Sequence, residues 1–212
     1  MTTALVTFTV AAALIVLLPG PDTLVVLRNL LRHGRRRAVL TVAGVLSGLT
    51  VWVLAAALGL SAVLRASSDA YAALRIAGAC YLLWLGIQSL RARRTAFGTP
   101  AELAADGSGP PRRGLLGTGY GAGLATDLLN PKVGVFFVTF LPGFVPHGAS
   151  VGVVSLVLGA VFIVETAIYF TVLLLLAGRI TAWMHNPRVQ RRLDRATGLV
   201  LIGFGLRLAV EP

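Results

Sequence analysis

The chain has 212 residues, of which 56% are hydrophobic and 13% charged; its mean hydropathy is +0.83 and its formal net charge +11. A soluble domain carries charge on about a quarter of its residues, and one of this size could not hide so many Leu, Val and Ala side chains at so low a charge density. A soluble globule is therefore excluded in favour of an all-α integral membrane protein, whose arginines must be placed against its spans before they are read as a nucleic-acid surface.

Six hydrophobic segments follow in chain order. The first runs from Thr3 to about Leu27 and is interrupted at Pro19-Gly20-Pro21. It lacks a basic leader and a small-residue cleavage site, and reads as a retained helix rather than a signal peptide. The second, Ala38 to Leu64, exceeds the roughly 20 residues a span needs and has room to tilt. The third is Tyr71 to Leu90, and the fourth runs from Leu115 to Phe144 with a break at Asn130-Pro131. Val151 to Ala177 and Ala196 to Val210 complete the set, the last needing Leu193 to reach full length. Cys80, the one cysteine, excludes an intrachain disulfide and reads as a packed small residue.

Fifteen of the nineteen basic residues fall in three alternate loops. Arg28, Arg32, Arg35, Arg36 and Arg37 join segments one and two, and Arg91, Arg93, Arg94, Arg112 and Arg113 lie between three and four. Arg179, Arg188, Arg191, Arg192 and Arg195 lie between five and six. Cytoplasmic loops hold the Lys/Arg excess, so this bias places the three basic loops inside and both termini outside. The Arg35-Arg36-Arg37 patch reads as a topogenic, headgroup-facing cluster.

Residues 95–114, rich in Gly and Pro, read as a flexible cytoplasmic linker between a first half, 1–94, and a second, 115–212. Each half opens with a broken segment, at Pro21 and at Pro131, each shortly after a Leu-Leu pair. Arg75 to Gly78 and Arg195 to Gly198 match at the start of the third segment of each half. Three spans per half make the second half inverted. The expectation is two inverted three-helix repeats with proline-broken first helices, an architecture whose binding site lies where the breaks meet.

The chemistry falls at those breaks. Pro19 and Pro21 around Gly20 free backbone groups at membrane depth that need protein, water or ligand partners. Asp22 at the helix restart is a site for a substrate ammonium group or a coupling proton, or an N-cap that repairs the break, and Thr23 adds a hydroxyl. Asp127 and Lys132 flank Asn130-Pro131; charges in hydrocarbon pair, face water or mark a pathway. Lys132 is placed to receive a substrate carboxylate or to neutralise Asp127 or Asp22, and Asn130 to cap the restarted helix. Glu165, mid-way along the fifth segment, is a proton carrier or a structural contact, with Tyr169 one turn on and on the same face. Gly44 and Gly48 form a small-xxx-small pair for close packing, within the chain or between chains, and Gly78 and Gly86 allow similar approaches. Trp52, Trp84 and Trp183 carry no special signal. His33, His147 and His185 do not cluster, so no metal site is expected. No hydrolase triad, Walker loop or dinucleotide fingerprint is present, which leaves no cofactor and no enzyme to propose.

Leu18 to Asp22, the Gly34-Arg35-Arg36 start, Leu128 to Lys132, Phe136-Phe137 and Phe140 to Phe144 together resemble the LysE/RhtB family of bacterial amino-acid exporters, over essentially the whole chain. The resemblance implies efflux of amino acids or close derivatives across the bacterial inner membrane, with lysine, arginine, threonine, homoserine, homoserine lactone, leucine and cysteine-pathway compounds among the family's substrates. It implies export driven by the proton gradient or membrane potential. The family motif falls here on Pro19, Gly20, Pro21, Asp22, Asn130, Pro131 and Lys132. Asp or Asn occupies the position of Asp22 in the family, Asp127 stands where Asn is common, and Leu49 and Trp52 replace an acidic residue and a histidine.

The expected function is thus a secondary exporter of amino acids, proton-coupled, with the substrate held between Asp22 or Asp127 and Lys132. Export of another small cationic solute is the alternative, and a channel the more distant one. The expected partners are the substrate, protons and the lipid bilayer, with no nucleic acid.

Overall fold

The computed structural model describes residues 2–60, 68–91, 118–146, 148–177 and 187–210. The linker 95–114 lies outside the described residues, as do Arg65, Arg93, Arg94, Arg112, Arg113, His147, Arg179, Trp183 and His185. Every regular element among the described residues is helical.

Helix α1 (Thr2–Leu17) ends because Pro19 has no N–H to give the Ile15 carbonyl; Leu18 N–H closes on that oxygen instead, at 3.2 Å. Gly20 is extended, and Pro21 takes the first position of α2 (Pro21–Ala55), where a missing N–H costs nothing. Within α2, Gly34 leaves the helix at φ 79°, ψ 178°, a conformation closed to residues with a Cβ. This corner divides α2 into two arms, residues 21–33 and 35–55. The sequence suggested a ten-residue basic loop here. One glycine makes the turn instead, because Arg and Leu are good helix formers that carry each arm to its end.

A π turn, Ala56–Leu60, extends the second arm. Helix α3 is Ser68–Arg91, and α4 is the short Tyr120–Leu128. After the break, α5 (Pro131–Val135) continues through a π turn, Phe136–Phe140, and a 3-10 turn, Leu141–Phe144. Helix α6 is Val151–Leu175 and α7 is Pro187–Val210. The start of α7 precedes the expected Ala196, because the helix takes Arg191, Arg192 and Arg195 into its first turns.

Six spans were expected. Among the described residues, Pro21–Gly59 and Val151–Leu175 are long and apolar enough to cross a membrane, and Tyr120–Leu128 with Pro131–Phe144, bent by 51°, counts as a third where the bent pair is one span rather than a re-entrant loop. The apolar part of α1, Ala4–Leu17, is too short alone. Leu17, Leu58, Ile168 and Leu175 are exposed, as lipid-facing side chains would be.

The second arm of α2 crosses α4 in backbone contact. Gly44 faces the Tyr120 carbonyl and Gly123 faces that of Thr41, with no space for a methyl group at either. Gly86 and Gly198 bring α3 and α7 together in the same way. The core is aromatic: Phe8, Phe136, Phe137, Phe140, Phe144 and Phe162 are all buried in one cluster. Cys80, expected to be packed, is exposed on α3.

Candidate functional site

The two breaks meet and are stitched together by side chains. Asn130 caps α5 by accepting the Lys132 N–H on Oδ1 (3.1 Å) and donates from Nδ2 to Asp22 Oδ2 at 2.6 Å. Of the readings offered for Asp22, the N-cap of its own helix is the one the geometry does not follow. No side chain caps α2; the Asp22 carboxylate reaches across to the other break. Lys132 crosses in the opposite direction, its Nζ donating to the carbonyls of Leu18 (3.0 Å) and Ile15 (3.3 Å) at the end of α1.

Asp127 is fully buried in the last turn of α4, and neither carboxylate oxygen has a hydrogen-bond partner among the described residues. Its side chain lies over Gly48, where a methyl group would come within 2.5 Å of Oδ2. Asp22 and Asp127 are both within electrostatic reach of Lys132. Thr23 is buried, and its hydroxyl pairs with the Tyr169 hydroxyl at 3.2 Å. Tyr169 therefore serves Thr23 and not Glu165, the partner expected from helical spacing.

These groups surround one cavity, whose volume open to water centres is about 30 Å³. That is room for about two waters. Gly20, Asp22, Thr23, Asp127, Lys132 and Tyr169 form its polar side. Ile15, Val45, Leu49, Phe162 and Phe170 form its apolar side. Among the expected site residues, Pro19, Pro21, Asn130 and Pro131 shape the breaks without lining the cavity. Glu165 does not line it either; it is partly buried on α6, with Oε2 unpartnered.

Two contributors escaped sequence reasoning. Trp52 donates from Nε1 to the Asp127 carbonyl (3.3 Å) and lays its ring on Gly134, spanning the second break from outside. Its spacing of one turn from Gly48 was the available signal. Asn29, buried in the first arm of α2, accepts the Gly119 N–H on Oδ1 (3.3 Å) and ties that arm to the start of α4.

Broken helices with buried charged groups gathered where the breaks meet are an arrangement used by membrane carriers. The chain belongs to the LysE type translocator family, whose model matches residues 13–212. It is 28% identical to the uncharacterized membrane protein YrhP of Bacillus subtilis, over 94% of this chain and 95% of that protein. It is 31% identical to a leucine efflux protein of Klebsiella pneumoniae, over 96% and 93% of the two chains. With a threonine efflux protein of Escherichia coli it shares 32% identity over 91% of each chain. No solved structure matches.

Proposed function

We propose that this protein is a secondary exporter of an amino acid or close derivative across the bacterial inner membrane. The observation that carries the reading is the cavity at the meeting of the two breaks, which combines carboxylates, an ammonium group and an apolar wall. A zwitterion with an aliphatic or hydroxylated side chain suits such a lining, in keeping with relatives named for leucine and threonine efflux.

In this proposal six spans form two inverted halves, 1–94 and 115–212, joined by the linker 95–114, with both termini outside. The packing supports it: α3 pairs with α7, the second arm of α2 with α4, and α6 with α1 and the first arm of α2. Asp22 and Asp127 receive the substrate amino group. The uncapped amides at the start of α2 receive the carboxylate, with the Lys132 charge behind them. The cavity is too small for an amino acid, so the substrate enters from the cytoplasm when the halves part, and export is coupled to inward proton flow through an aspartate or Glu165. Because neither oxygen of Asp127 has a hydrogen-bond partner among the described residues, a small cationic solute is the second reading.

The test is dipeptide loading of cells that carry the wild type, an empty vector or Asp22→Ala at equal membrane expression. The wild type should lower one intracellular amino acid, Asp22→Ala should not, and a protonophore should abolish the difference. If no amino acid moves, the cationic solute becomes the reading to pursue.

A further inference from the structure

We infer that the C-terminal end of α1 is a built monovalent-cation site, occupied in this chain by the tethered ammonium of Lys132. The donor set follows from the break. In a continuous helix the Ile15 carbonyl would accept from residue 19, which is a proline, and the Leu18 carbonyl from Asp22, which lies beyond the break in α2. The Ile15 oxygen accepts the Leu18 N–H and also Lys132 Nζ, and the Leu18 oxygen accepts Nζ as well. These carbonyls stand at the negative end of a 16-residue helix. Asp22 and Asp127 add two carboxylates within electrostatic reach of Nζ. Freed carbonyls at a half-helix C-terminus beside acidic side chains are the groups that hold small cations in broken-helix carriers.

Lys132 itself is poorly placed for its own helix. It sits in the first turn of α5, directly after Asn130 and Pro131, where a cation opposes the helix dipole. Its stem instead carries the ammonium across to α1, so close to Gly20 that a methyl group there would lie 3.2 Å from Nζ. The position is explained by what Nζ reaches. The site rests on this geometry alone and is independent of which solute is carried.

Removing the tether should leave a site that a free cation can fill. The experiment is thermal unfolding of purified wild type, Lys132→Ala and Lys132→Met in detergent. Sodium, potassium or methylammonium chloride replaces choline chloride at constant ionic strength, choline being too large to enter. Lys132→Ala should unfold about 5 °C below wild type in choline. It should recover at least half of that loss, saturably, with at least one of the three cations, and wild type should not respond. Lys132→Met refills the space without charge, so it should be destabilised and indifferent to every cation; it also covers the case in which the alanine variant does not survive extraction. A Lys132→Ala protein that responds to none of the cations beyond choline overturns the inference. So does a Lys132→Met protein as stable as wild type.

Discussion

Asn130 Nδ2 donates to Asp22 Oδ2 at 2.6 Å across 108 residues of sequence, so the cap of one broken helix is also the clasp on the other. Loss of Asn130 therefore removes two bonds of different kinds. Asn130→Ala should cost about 2–5 kcal/mol, the sum of a lost cap and a hydrogen bond to a charged group. The check is a thermal or denaturant unfolding curve in detergent, with efflux measured in parallel. If Asn130→Ala unfolds like wild type, the clasp has no energetic weight.

Asp22→Asn separates charge from hydrogen bonding at the same position. An amide oxygen can still accept from Asn130, so stability should stay within about 1 kcal/mol of wild type. Efflux should fall if the carboxylate holds the substrate amino group. Unchanged efflux at equal expression would assign that role to Asp127.

Gly48 is the surface on which the Asp127 carboxylate rests, and Gly48→Ala places a methyl group against Oδ2, Cβ and Cγ of that residue. The side chain must rotate or the helices must part, at a cost of about 1–3 kcal/mol. Transport should suffer more than stability, because the displaced group lines the cavity. Gly44→Ala, which meets backbone and not a rotatable side chain, should be worse for stability. Comparing the two unfolding midpoints tests this ranking.

Trp52 has two roles that substitution can divide. Trp52→Phe keeps a ring near Gly134 and loses the bond to the Asp127 carbonyl, for about 0.5–1.5 kcal/mol. Trp52→Ala also empties the space over the break and should cost more than the phenylalanine, though less than the ~3–5 kcal/mol of a fully buried tryptophan because the side chain is half-buried. Equal losses in the two variants would mean that ring packing contributes nothing.

Much of this architecture was legible because proline and charge are rare in lipid. Pro19, Pro21, Asn130 and Pro131 marked the breaks, and Asp22, Asp127 and Lys132 marked the polar groups that had to find partners there. Helical spacing also marked Gly44 and Gly48 as a close-packing face, without saying that α4 is what packs on it. Partner choice was not legible. Spacing along α6 joined Tyr169 to Glu165, whereas packing against α2 gives Tyr169 to Thr23 instead. Lys132 was read toward a carboxylate and found carbonyls, because the groups freed by Pro19 lie on another helix. The Gly34 corner hid among arginines, since composition distinguishes a charged loop from a charged helix end only weakly.

The aromatic cluster bears on the cell's energy economy. Ile15, Leu49, Val133 and Phe162 belong both to the cavity wall and to the phenylalanine cluster, so one side of the cavity is closed by packed rings. A bare ion driven through that layer would lose its hydration and gain no ligand in return, at a cost of several kcal/mol or more. The ring layer is thus expected to resist the passage of ions. An idle copy of the protein can then sit in an energised membrane without short-circuiting it, and Phe137→Ala, which opens the middle of that layer, should show itself first as a proton leak in vesicles holding no substrate.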